Sequence, residues 1–212
     1  MKNLSVKTGI LSMAFLTLTA MSCKSETKKT ETEDTHAMEA SSHENEGHDH
    51  ATMHGDSDSH ERSVEASTEK NAATTPILDA YIQIKNGLVA DSKEKAAAGA
   101  TALLKAFSAF NMSELKGDTH NEYMEILESA KEHAEHIVES TIDHQREHFE
   151  GLSTDISDLV TLLGTEKTLY KDFCPMANNN KGGAWLSEVK DIKNPYFGAK
   201  MLKCGSVQQQ IN

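Results

Sequence analysis

The sequence predicts an all-α fold: an up-and-down helical bundle of about four helices, a disordered N-terminal tether before it and an irregular C-terminal segment packed on it. Three observations predict this. Apolar residues recur at three- and four-residue spacing between Pro76 and Leu163. The stretches between these patterns are short and polar, which makes successive helices antiparallel neighbours. Residues 24–75 carry 13 Asp and Glu against 5 Lys and Arg, no aromatic residue and, besides alanines, only Met38, Met53 and Val64 as apolar side chains. Such a stretch buries too little apolar surface to offset the entropy of ordering it.

The chain opens as an export signal. Lys2 and Lys7 precede the apolar run from Ile10 to Leu18, and small residues follow up to Cys23. Residues 1–22 are thus expected to be cleaved, and the run is too short for a spanning helix. Ala20-Met21-Ser22-Cys23 resembles a bacterial lipobox, with Ala20 in place of the commoner Leu. That resemblance implies lipidation of Cys23 and an anchor on a membrane that the chain does not cross. An ordinary signal peptide with an incidental cysteine is the alternative. Lipidation would leave one pair of thiols, Cys174 and Cys204, in an oxidising compartment.

Residues 23–75 are expected to form the tether. It contains His36, His43, His48, His50, His54 and His60, densest from His43 to His54, with Met38 and Met53 among them. Imidazole and thioether suit late first-row metals and Cu(I), and the carboxylates concentrate cations nearby. The expectation is weak, exchanging capture of copper, zinc or nickel. A solvated linker that merely contains histidines is the bland alternative.

The domain is expected to span residues 76–212. Pro76 opens the first helix, in which Leu78, Tyr81, Ile82 and Val89 share a face. Asp91 or Ser92 caps an alanine-rich second helix, read with Ala97, Thr101, Leu104, Phe107 and Ser108 along one side. A third pattern starts near Asp118 and runs through Tyr123, Leu127, Ala130, Ala134, Ile137, Val138 and Ile142. It continues, or bends near Gly151, into Leu152, Ile156, Leu159, Val160 and Leu163. From residue 165 the period is lost. Pro175, Gly182, Gly183, Pro195, Gly198 and Gly205 punctuate the chain, while Phe173, Trp185, Leu186, Tyr196, Phe197 and Leu202 require burial.

Several short motifs lie in this region. Phe173-Cys174-Pro175-Met176-Ala177, Gly183-Ala184-Trp185-Leu186-Ser187, Asn194-Pro195-Tyr196-Phe197-Gly198 and Met201-Leu202-Lys203-Cys204-Gly205 follow one another. With Asp143-His144-Gln145-Arg146-Glu147-His148-Phe149 and Leu152-Ser153, they resemble an uncharacterised helical domain family of Gram-negative envelopes. The resemblance covers about residues 76–212. That family occurs in small lipoproteins and at the C-terminus of periplasmic adaptor subunits of heavy-metal efflux pumps, so it implies a setting of copper or silver handling.

Two groups of residues carry metal chemistry. Cys174, Met176, Met201 and Cys204 offer two thiols and two thioethers, soft donors for Cu(I) and Ag(I), should the excursion between Met176 and Met201 return to its start. A disulfide between Cys174 and Cys204 is the equal alternative. It would close a loop of roughly 30 residues and stabilise the fold by about 3–4 kcal/mol. His133, His136, His144 and His148 form the second group, within an arc of about 120° if one helix runs unbroken through all four. A solvated charged face with Glu132, Glu135, Glu139 and Glu147 is the competing reading. Arg146 is expected to tie the C-terminal segment to the bundle through a carboxylate.

Composition narrows the function classes. The formal net charge of −12 disfavours a nucleic-acid partner. No Glu-x-x-His pair falls in the helical region, which argues against a di-iron carboxylate bundle. Neither a nucleophile with its base partner nor a Gly-rich phosphate loop is present, so no enzyme is expected. The expectation is an envelope lipoprotein, facing the periplasm or on the outer membrane, that binds Cu(I) or Ag(I), with zinc as a further candidate. It would sequester the ion or deliver it to an efflux adaptor. The alternative is a disulfide-stapled interaction module that docks on such an adaptor without binding metal.

Overall fold

The computed structural model describes residues 62–64, 66–67 and 70–211. The export signal, Cys23 and the tether residues His36, His43, His48, His50, His54 and His60 lie outside the described residues. Four long helices make up most of the described chain: α1 (Thr75–Val89), α2 (Lys93–Ala109), α3 (Asp118–Glu139) and α4 (Ile142–Leu163). They form a bundle in which α1 packs on α2, α2 on α3, α3 on α4, and α4 closes back on α1. Among the described residues no helix is long and apolar enough to cross a membrane.

The first pair is set by small residues. A Cβ at Gly87 would lie 2.4 Å from the Ala96 backbone nitrogen, and one at Gly99 would lie 2.6 Å from that of Ile84. The two backbones therefore touch antiparallel, an approach that larger side chains would forbid. Ser92 is the N-cap of α2, its hydroxyl accepting from the Lys95 N–H at 3.3 Å. The buried line of α2 is Ala96, Gly99, Ala100, Leu103 and Phe107. This corrects the face read from sequence, since Thr101 and Ser108 are exposed and their hydroxyls donate to the carbonyls of Ala97 and Leu104. An alanine-rich helix has too few large side chains to fix the phase of its apolar face.

The third pattern is two helices. It neither continues nor bends at Gly151 but breaks at Ser140 and Thr141, which adopt extended backbone angles. The fully buried side chain of Gln145 closes this break, its amide donating to the carbonyls of Ile137 at 2.7 Å and Lys93 at 3.2 Å. It thereby takes an orphan carbonyl at the C-terminal end of α3. At the far end, Gly164 at φ 76° stops α4.

Residues 165–211 are not simply irregular. They hold a three-stranded antiparallel sheet of β1 (Leu169–Cys174), β2 (Gly183–Ser187) and β3 (Ser206–Ile211), with β1 in the centre. The strands are too short to display a period, and β2 is buried along almost its whole length, so its residues do not alternate. The sheet joins the bundle through Tyr81. Its ring stacks on Phe149 at 5.3 Å, and its hydroxyl pairs with Ser153 Oγ and accepts from the Leu186 N–H. Lys85 and Asp172 are both buried behind this contact. Burial pushes the Asp172 carboxyl up to about 6, with the Lys85 charge opposing it.

Contacts to the bundle begin upstream of Pro76. Arg62 Nη1 lies 2.6 Å from Asp155 Oδ1, the Ser67 N–H donates to the Thr161 carbonyl, and Asn71 Nδ2 donates to the Leu163 carbonyl. Arg62, Ser67 and Asn71 thus meet successively later residues of α4.

Candidate metal centre

The break between α3 and α4 decides where the four histidines go. On one unbroken helix His133 and His148 would be separated by the rise of fifteen residues, about 22 Å. The turn at 140–141 folds α4 back on α3, as the Ser129 Oγ to Asp155 Oδ2 hydrogen bond of 2.8 Å also requires. His133 and His136 near the end of α3 then meet His144 and His148 near the start of α4. The single-helix arc is replaced by a cluster across a helical hairpin.

Within the cluster, His144 Nε2 and His148 Nε2 are 3.1 Å apart, and so are His133 Nδ1 and His148 Nδ1. His144 Nδ1 lies 2.6 Å from Glu147 Oε2. The His136 ring stacks on His148 with centroids 4.1 Å apart and planes within 2° of parallel. Ligand atoms of His136, His144 and His148 all fall within 4.8 Å of one another. His136 and His144 are exposed, His148 and His133 half-buried. His133 owes its seat to Gly151, where an added Cβ would sit 2.2 Å from its Nε2.

Burial, followed by the neighbouring His136, His133 and His144, holds the His148 imidazole down to about 4. Burial likewise lowers His133. Both rings are therefore neutral near pH 7, the form in which imidazole donates a lone pair to a metal. Two nitrogens at about 2.05 Å from one ion and 3.1 Å from each other subtend about 100°, close to a tetrahedral angle. Late divalent ions such as Cu(II), Zn(II) and Ni(II) suit such a donor set.

The second group divides. Cys174 Sγ and Cys204 Sγ are 2.7 Å apart, on the last residue of β1 and in the turn before β3. Both are free thiols, Cys174 buried and Cys204 partly so. The Cys204 thiol is pushed up first by its hydrogen bond with Cys174 and then by burial. Met176 is 47% exposed beyond the buried Cys174, and Met201 is half-buried after the turn Gly198–Lys200. The chain between Cys174 and Cys204 returns to its start at the two thiols.

Buried Asn194 organises that excursion. Its Oδ1 accepts from the N–H groups of Tyr196 and Phe197, and its Nδ2 donates to the Cys204 carbonyl at 2.8 Å. Arg146 links the result to the bundle, donating to the carbonyls of Pro195 and Leu88 and pairing with Asp91. Sequence reading foresaw a carboxylate tie for Arg146 but not the roles of Asn194, Gln145 or Gly151. Thr141 with Asp143 is a helix-start signal that would have located the break.

Residues 77–168 match the model of a family described as Protein of unknown function (DUF3347). The match takes in nearly all of the four helices and the whole histidine cluster and stops before β1, whose last residue is Cys174. It fits an uncharacterised helical domain family. No curated protein and no solved structure matches the chain.

Proposed function

We propose that this chain is a metal-capturing protein of the bacterial envelope, lipid-anchored through Cys23, whose helical domain binds a late transition-metal ion at the α3–α4 hairpin. The observation that carries the reading is the convergence of His144 Nε2 and His148 Nε2 at 3.1 Å, with His136 beside them. The neutral His148 ring supports it, because no proton need leave its nitrogen before an ion binds. So do the exposed carboxylates of Glu132, Glu135, Glu139 and Glu147, which draw cations to this end of the bundle. Copper is the ion that both the histidine-rich tether and the hairpin suit, with zinc second; silver has its donors in the sulfur group. Exposure of His136 and His144 suits a site that exchanges its ion, for sequestration or delivery to an efflux adaptor. Equilibrium dialysis of the full chain against Cu(II) and Zn(II) tests this. Replacing His136, His144 and His148 together with Ala should remove one bound ion per chain, and an unchanged stoichiometry contradicts it.

A second reading has its own observation. The 2.7 Å approach of Cys174 Sγ and Cys204 Sγ supports a disulfide-stapled module that docks on an envelope partner without holding metal. A mass two hydrogens below the reduced chain, with no metal retained, would favour it.

A further inference from the structure

The hairpin cluster is not four equivalent ligands, and the ring planes separate them. An imidazole lone pair lies in the plane of its ring, so an ion bound by two imidazoles must lie in both planes. The planes of His144 and His148 are 87° apart and so intersect, and an ion bound by both must lie on the line they share, with the two Nε2 atoms 3.1 Å apart. The planes of His136 and His148 are within 2° of parallel, with centroids 4.1 Å apart. Offset parallel planes do not meet, so an ion in the His148 plane lies outside that of His136 as the ring now stands. His136 is exposed on α3, so its ring borders solvent on the side away from His148.

The other two groups act on the back of the chelating rings. A neutral imidazole that gives Nε2 to a metal carries its proton on Nδ1, and a partner at Nδ1 selects that tautomer. His144 Nδ1 has such a partner in Glu147 Oε2 at 2.6 Å. His148 Nδ1 has His133 Nδ1 at 3.1 Å. His133 approaches His148 from the nitrogen opposite the one that faces His144, so it cannot share their ion. Its ring is fixed there by the missing side chain of Gly151.

Resting on the metal-binding reading above, we propose that a divalent ion enters on a two-nitrogen chelate formed by Nε2 of His144 and His148. Glu147 and His133 are positioning residues that accept the Nδ1 protons of the two rings once the ion holds their Nε2 atoms, and His136 joins as a third ligand by rotation of its ring. Three imidazoles leave a fourth position open to water or to an incoming ligand, the arrangement an exchanging site requires.

The experiment uses the full chain with Zn2+ alone as probe and reads imidazole 15N resonances, which distinguish the tautomers without any metal. The metal-free chain should show one Nε2–H between His144 and His148, whose Nε2 atoms share a hydrogen bond, and Zn2+ should convert both rings to Nδ1–H. His133→Phe, which keeps a ring against Gly151 but removes the nitrogen that would take the His148 Nδ1 proton, should weaken Zn2+ roughly tenfold. Glu147→Gln should do the same through His144. His136→Ala should weaken Zn2+ less than His144→Ala or His148→Ala, and the His136 resonances should shift only on addition of Zn2+. Zn2+ binding with His148 as Nε2–H, or with full affinity in His133→Phe, overturns this inference and leaves the metal reading standing. Absence of a Zn2+ site at the hairpin overturns both.

Discussion

Arg146 Nη2 lies 2.5 Å from Asp91 Oδ1, and through that contact α4 holds the α1–α2 turn. The other carboxylate oxygen of Asp91 accepts from the Ala199 N–H at 2.9 Å, while Arg146 Nε donates to the Pro195 carbonyl at 3.0 Å. These hydrogen bonds and the Arg146 charge hold the Asp91 carboxyl below its usual range, the backbone bond first. The pair thus clamps the segment between β2 and β3 on the bundle.

Arg146→Ala removes the clamp and the guanidinium hydrogen bonds to the carbonyls of Pro195 and of Leu88, which keeps the Asp91 N–H. The expected loss is about 2–3 kcal/mol in chemical denaturation. Arg146→Lys should recover only part of it, because an ammonium cannot reproduce the guanidinium fork. A loss below about 0.5 kcal/mol for the alanine variant would show that the clamp is incidental.

Gly87→Ala sets two effects against each other. Alanine favours a helix interior by about 1 kcal/mol over glycine. Its Cβ would stand 2.4 Å from the Ala96 nitrogen, a backbone atom that moves only if α2 moves. Overpacking of this kind costs about 1–3 kcal/mol or more, so the variant should melt below the wild type.

Acid acts on two groups with opposite sign. His148 titrates at about 4 in the fold against about 6.5 unfolded, so its contribution to stability is present above pH 6.5 and is lost as pH falls toward 4. Asp172 titrates at about 6 in the fold against about 3.9 unfolded, so the fold gains from it at low pH and loses that gain as pH rises toward 6. His148→Phe should flatten the fall in stability between pH 6.5 and 4, and Asp172→Asn should steepen it. Melting curves across this range check both slopes, and equal slopes in the two variants would contradict the assignment.

Oxidation should join Cys174 and Cys204 with little rearrangement, their sulfurs being 2.7 Å apart. Closing a loop of roughly 30 residues should raise stability by about 3–4 kcal/mol, seen as a melting transition lowered by reductant in the wild type but not in Cys174→Ser.

Local signals made much of this fold legible. Pro76 marked α1, Ser92 stood among the expected caps of α2, and the apolar pattern ended at Leu163 where α4 ends. The signals that failed were those that act across space. Gln145 seals the α3–α4 break with a side chain that reads on its own helix as an ordinary polar residue. Asp172, a charge within β1, disguises a buried central strand. The four imidazoles were visible as residue types, but their meeting depended on a turn two residues long. A helix period places residues on one face and says nothing of a neighbouring helix that folds back.

The most direct test of the central claim removes the tether's contribution first. In the full chain, His36, His43, His48, His50, His54 and His60 are replaced by Asn, and Cu(II) and Zn(II) are titrated against a chromogenic chelator. This chain should retain one site, and adding His144→Ala with His148→Ala should abolish it while the helical circular dichroism is kept. Retention of the site after both replacements would contradict the assignment of metal binding to the α3–α4 hairpin.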